Sequence, residues 1–197
     1  GFGSVGKHAA RFLTAEGAVI VAAADSRGMV ACADGLDVDQ LIALKDSGGS
    51  VMDYPAGPGV TTGERDDIID VACDIWIPAA RPDVIREDNV GRLQATMVAP
   101  GANIAVTAGA EPLLHKKGIL YIPDFIANAG GVICAAMEYQ GASEQAAFQA
   151  IEEKLCNNVR EVLQISQRDN CLPREAAVGM AMRRVQKAMA MRRWHLF

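Results

Sequence analysis

Aromatic side chains make up only 5% of the 197 residues, while glycine occurs nineteen times. That balance favours close α/β packing through small residues and argues against a β-sandwich. Cysteine is sparse: Cys32, Cys73, Cys134, Cys156 and Cys171 are odd in number, scattered, and never spaced as C-x-x-C. A disulfide framework or a zinc site is therefore not expected, and reduced, mostly structural thiols in a cytoplasmic protein are. A basic excess is also lacking. Lys and Arg total 19 against 24 Asp and Glu, a net charge of −5, so neither nucleic acid nor an anionic membrane surface is an expected partner. No window approaches the roughly 18 uncharged apolar residues of a membrane span, and the first residues show no basic-then-apolar export pattern. His8, His115 and His195 have no mutual spacing that suggests a triad or a metal site, and no metal is expected.

What is present begins at the first residue. Gly1-Phe2-Gly3-Ser4-Val5-Gly6 runs straight into a segment with Val5, Ala9, Phe12 and Leu13 at helical spacing. In a G-x-G-x-x-G loop the first glycine makes the turn and the second lets the backbone approach a pyrophosphate. The third lets helix and strand pack closely, and the free amides at the helix start face the anion. The apolar run 18–25 reads as a buried parallel strand ending in Asp25, about 20 residues past the loop, where a carboxylate can bind the adenosine ribose. Ser26 and Arg27 follow and are suited to a 2′-phosphate instead, so NAD and NADP both remain open, with NAD narrowly favoured.

Further along, the pattern predicts a helix over 38–45 and a polar loop over 52–65 carrying at most one short strand. Strands are predicted at 73–80, 95–100 and 119–123, and helices at 81–93 and 110–118. Three helices then close the chain, over 126–140, from Ser143 to about Arg168, and from Pro173. The second presents Phe148, Ile151, Leu155, Val159, Val162 and Ile165 as its core stripe, and the third Val178, Met182, Val185 and Met189. This order predicts an α/β fold: a Rossmann-like doubly wound parallel sheet lacking its first strand, with a C-terminal helical extension. Residues 1–140 form the dinucleotide-binding domain and 141–197 a helical tail packing on it.

The segments "GFGSVG", "DGLDVDQLIALK", "CDIWIPAA", "APGAN" and "PDFIANAGGVICAAMEYQ" resemble, in order and over essentially the whole chain, the cofactor domain of the glutamate/leucine/phenylalanine/valine dehydrogenase family. The resemblance implies an oligomeric enzyme that oxidatively deaminates an L-amino acid to a 2-oxo acid and ammonia, passing a hydride to NAD or NADP. It implies that Gly1, Phe2, Gly3, Ser4, Val5 and Gly6 hold the pyrophosphate and that Asp25 holds the ribose. Ala79 and Ala80 would line the groove that the dinucleotide crosses. Asn103 and Asn128 would fix the nicotinamide carboxamide.

Departures from the family pattern carry their own expectations. Pro100 stands where the family has an acid, and "IAVT" replaces a Pro–Thr–Thr run. Ala135 occupies the place of a serine that grips the glutamate side chain in glutamate-specific members, whereas "MEYQG" resembles the glutamate type. The family's catalytic lysine and aspartate belong to an N-terminal substrate domain absent from this chain, so no catalytic residue is assigned. The expected reading is the cofactor half of a longer dehydrogenase, inactive alone, which acts on an amino acid as a homo-oligomer. The alternative is a stand-alone, non-catalytic module for nucleotide binding or assembly. Lys116 and Lys117 read as helix-end cations, Asp66 and Asp67 as N-terminal helix charge, and Cys134 as a small buried hydrophobe.

Overall fold

The computed structural model describes residues 1–191; His195 lies outside them. The chain forms two compact units, Gly1–Asp124 and a second from Phe125 onward. Among the described residues the last strand ends at Tyr121 and the second unit consists of helices and the turns between them; the division comes earlier than the 140/141 expected from sequence.

The first unit is mixed α/β. Helix α1 (Ser4–Ala15) starts directly behind the glycine loop. Strand β1 (Ala22–Ala24) then pairs with β2 (Met29–Ala31), and β2 with β3 (Thr61–Gly63), both antiparallel. This corrects the reading of 18–25 as a strand of a parallel sheet. The reason lies in the connection: β1 and β2 are joined by a tight turn closed by the Asp25 amide on the Gly28 carbonyl (2.9 Å), and so short a link can join only antiparallel neighbours. Helix α2 (Val38–Asp46) is capped by Asp37, whose carboxylate accepts the Gln40 amide at 2.9 Å. It buries Val38 and Leu41 in a core shared with Phe2, Ala10, Ala23, Val30 and Val51.

A parallel sheet follows, in the order β4 (Cys73–Trp76), β5 (Ala95–Val98), β6 (Leu120–Tyr121). Helix α3 (Ala110–Lys116) makes the β5–β6 crossover, its Ala110 and Leu114 fully buried with Ile85, Val98, Val106 and Tyr121. The predicted helix over 81–93 does not form. Asp83 is left-handed (φ 53°), and the Asn89 side chain accepts the Arg86 amide (2.8 Å) and donates to the Val84 carbonyl (2.9 Å). Those local bonds satisfy the backbone as turns, in competition with a helix.

The second unit contains α4 (Asp124–Ala127, its first residue still in the first unit), α5 (Gly130–Tyr139), α6 (Glu144–Asp169) and α7 (Pro173–Ala190). Ser143 caps α6, accepting the Ala146 amide, and left-handed Asn170 ends it. The packing face of α7 differs from expectation. Pro173, Ala176, Ala177 and Met180 are buried, whereas Val178, Met182, Val185 and Met189 are exposed. Arg184 of α7 donates across to Asn158 and Glu161 of α6. On α6 the predicted stripe is only partly covered: Val162 is buried and Phe148 exposed. Among the described residues, no helix is long and apolar enough to cross a membrane.

Candidate functional site

The glycine loop is shaped by two close contacts and one opening. A Cβ on Gly6 would strike the Gly1 carbonyl, and one on Gly1 would strike Ala80, whereas one on Gly3 would meet nothing within 4 Å. Gly1 and Gly6 thus permit the tight turn, and Gly3 leaves the space in front of α1 clear. Gly3 is also the N-cap of α1 and brings no side chain to it, and the first turn contains no acid. The amides of Ser4, Val5 and Gly6 therefore have no protein acceptor among the described residues. Three unpaired N–H groups at the positive end of a twelve-residue helix suit an anion, which is the fit expected for a pyrophosphate.

Neighbouring strands bring the other first-unit candidates to the same place. The Phe2 amide donates to the carbonyl of Ala24 at the end of β1 (2.6 Å), and the Phe2 ring is buried as an anchor, so it offers a ligand no side chain. Past β4, the Pro78 carbonyl accepts from the amides of Gly101 (3.0 Å) and Ala102 (2.9 Å), drawing the loops after β4 and β5 together. There Ala79 meets both Gly6 and Gly101, and Val5 also lies against Gly101. Asn103 follows on that second loop, exposed, just before left-handed Ile104, whose amide donates to Asp124 at 2.7 Å. Asn128 belongs to the second unit, in the turn between α4 and α5. A groove of about 1460 Å³ runs along residues 1–6, 18–26 and 71–81. It is flanked by β1 and β4, each of which has a strand partner on one side only among the described residues. Val5, Ala9 and Leu13 of α1 line it too.

Asp25 is occupied within the protein. One carboxylate oxygen accepts the Arg27 amide (2.9 Å) and the Ser50 hydroxyl (2.9 Å). The other accepts the Lys45 ammonium (2.7 Å) and the Val51 amide (3.0 Å). Burial opposes ionisation of this carboxyl. The Lys45 ammonium, then the Arg27 and Val51 amides and the Ser50 hydroxyl, outweigh it and hold the group well below the usual carboxylate range. Ser26, beside it, is exposed and lines the groove, as does Lys45. Arg27 is exposed and gives one N–H to Asp53 at 2.7 Å. Sequence reasoning passed over Lys45 because its partner lies twenty residues away and no local pattern joins them.

The other polar candidates are engaged structurally. Lys117 donates to the carbonyls of Val90 (3.1 Å), Gly91 (2.8 Å) and Leu93 (3.1 Å), holding the loop before β5 in addition to ending a helix. Lys7 pairs with Asp46. Asp66 pairs with Arg65, and Asp67 accepts the Glu64 amide, within a 3-10 turn at Arg65–Asp70. Burial and the Glu138 carboxylate push the Cys134 thiol upward, away from thiolate chemistry.

Residues 1–193 match the family model described as Glutamate/Leucine/Phenylalanine/Valine dehydrogenase. A glutamate dehydrogenase of Aeropyrum pernix is 37% identical over 98% of this chain and 48% of its own length. An NADP-specific glutamate dehydrogenase of Saccharolobus shibatae is 36% identical over 98% of this chain and 47% of its own. The chain thus spans about half the length of the curated relatives it matches. Among solved structures, a hetero-hexameric glutamate dehydrogenase from Thermus thermophilus superimposes with a TM-score of 0.84 at 24% identity, covering 99% of this chain and 47% of that one. L-tryptophan dehydrogenase from Nostoc punctiforme does so with a TM-score of 0.59 at 28% identity, covering 64% of this chain and 38% of that one.

Proposed function

The chain belongs to the glutamate/leucine/phenylalanine/valine dehydrogenase family, and from that premise we propose that it is the cofactor-binding part of an amino-acid dehydrogenase of the glutamate dehydrogenase kind. The reaction is oxidative deamination of an L-amino acid to a 2-oxo acid and ammonia. A bound nicotinamide cofactor supplies the hydride acceptor. One observation carries the proposal: three unpaired amides at the start of α1, behind an unobstructed Gly3, beside the loops that follow β4 and β5. Ligands of parallel α/β sheets lie at that carboxyl edge.

In this reading the chain's residues bind and orient. The amides of Ser4, Val5 and Gly6 hold the pyrophosphate, and Ala79 and Ala80 form a side-chain-poor wall along it. Asn103, on the loop after β5, holds the carboxamide and so selects the ring face. Proton transfers and the grip on the substrate carboxylate fall to a separate substrate domain, and this chain alone is inactive. Ala135, on α5, offers a substrate side chain no hydrogen-bond donor. The full-length enzyme is a cytoplasmic homo-oligomer.

The groove supports the same assignment. A strand laid between β1 and β4 would join the antiparallel meander and the parallel sheet into one sheet. The bond from Phe2 to Ala24 and the closeness of Gly1 to Ala80 tie the glycine loop to the end of β1 and to the segment after β4. The strand would also cover Val5, Ala9 and Leu13. The test is to assay the full-length protein for NAD(P)-dependent deamination of glutamate, leucine, valine and phenylalanine. Turnover of at least one is expected, with none from this chain alone. Absence of turnover with all four overturns the proposal.

A further inference from the structure

We infer that Asp124 and Ile104 form a backbone clamp that positions Asn103 for the nicotinamide end of the dinucleotide, with Asp124 a positioning residue that touches no ligand itself. The inference rests on the dinucleotide reading above and extends it to the groups that hold the ring-binding loop in shape. The starting point is a conformational outlier. Ile104 is left-handed, at φ 54°. For a β-branched residue that region crowds Cβ against the backbone, whereas glycine and short polar side chains adopt it far more readily. Ile104 is also 59% exposed, so burial of its apolar side chain does little to offset the strain. Such a conformation persists only where its surroundings fix it, and residues of this kind cluster where a ligand is held.

The surroundings fix Ile104 from both sides of its own backbone. Its amide donates to the Asp124 carboxylate at 2.7 Å, and its carbonyl accepts the amide of Asp83, itself left-handed, at 2.8 Å. The next residue, Ala105, is fully buried, and its carbonyl accepts the amides of Val84 (2.9 Å) and Ile85 (3.0 Å). Before the turn, Pro100 is fully buried and the Gly101 and Ala102 amides are tied to the Pro78 carbonyl. Asn103 and Ile104 are thus the exposed pair between two anchored segments, and the sign of φ at Ile104 sets how Asn103 is presented. The acceptor is fixed by the sheet. Strand β6 pairs with β5, the Ile122 amide extends that pairing to the Val98 carbonyl (3.0 Å), and Pro123 is fully buried. Asp124 follows directly, 5% exposed, as the last residue of the first unit. Without its carboxylate the Ile104 amide loses a charge-assisted bond, the strained residue relaxes, and Asn103 is re-aimed.

Isothermal titration of the intact protein that contains this chain tests the inference, with NAD+ and NADP+ set against ADP-ribose and its 2′-phosphate, which lack the nicotinamide. Asp124→Ala should weaken whichever dinucleotide binds by about tenfold and leave its nicotinamide-free counterpart within about twofold. Ile104→Asn, whose side chain tolerates the left-handed region, should keep that binding and raise Tm by about 1–3 °C, whereas Ile104→Val should hold Tm within about 0.5 °C. Adding Ile104→Asn to Asp124→Ala should recover most of the lost dinucleotide affinity, because the loop then keeps its shape without the clamp. A merely structural role for Asp124 gives no such rescue. Equal weakening of both probes, failure of the rescue, or a Tm lowered by Ile104→Asn overturns the inference and leaves the dinucleotide reading standing. If Asp124→Ala does not fold, a Tm for Ile104→Asn no higher than that of Ile104→Val overturns it. If neither dinucleotide binds the unaltered protein, both readings fall together.

Discussion

Replacing Lys45 with methionine isolates the ion pair behind Asp25. The substitution keeps the length of the aliphatic stem and removes only the ammonium. Asp25, 8% exposed, is left with three neutral donors and no countercharge. Removing one partner of a fully buried pair costs roughly 3–5 kcal/mol. Lys45 is itself 21% exposed and the three remaining bonds still solvate the anion, so the expected loss is about 2–3 kcal/mol at neutral pH. In a chain of this size that lowers Tm by about 4–12 °C. The pH dependence has a definite sign. The folded-state pKa of Asp25 is depressed, so its contribution to stability is complete above the unfolded value and disappears as pH falls through the folded one. The difference between wild type and Lys45→Met should therefore be full at pH 7 and begin to narrow only below about pH 4. Urea unfolding read by Trp76, which is buried in the first unit, checks this in a Trp194→Phe background. A loss under about 0.5 kcal/mol, or a difference that grows on acidification, would refute the reasoning.

Two glycines in one loop should respond in opposite ways. Gly3→Ala adds a methyl group that meets nothing, so Tm should move by no more than about 2 °C while dinucleotide affinity falls about tenfold as the methyl group crowds the diphosphate. Gly6→Ala drives a methyl group into the Gly1 carbonyl and should lower stability by about 1–3 kcal/mol as well as binding, by thermal melts and titration. Lys117→Met leaves the carbonyls of Val90, Gly91 and Leu93 without their shared donor. It should cost about 1–3 kcal/mol by urea unfolding, with dinucleotide affinity unchanged.

Helix positions were readable from the chain because their signals are local. Asp37 and Ser143 accept amides within the first turn they cap, and Pro173 starts α7 where its missing N–H costs nothing. Strands β4 and β5 and the short strand inside 52–65 were also visible. Strand β2 was missed because its three residues carry no alternating pattern, all three being buried. The segment 81–93 looked helical from its apolar spacing, but Asp83 and the Asn89 side chain supply turn bonds that spacing does not register. On α7 both faces carry apolar residues. The face with Ala176, Ala177 and Met180 is buried and the face with Val178 and Met182 is exposed, and apolar spacing alone does not tell the two apart.

At the candidate site the division is similar. The glycine spacing, the helix behind it and the run of family segments can be read along the chain, since each depends on residues a few positions apart. Whether Asp25 is open to a ribose depends on Lys45, Ser50 and Val51, which are 20–26 residues distant and reach it only once α2 and the turn after it fold back on β1. Backbone pattern travels along the chain. The partner that consumes a buried charge is chosen through space.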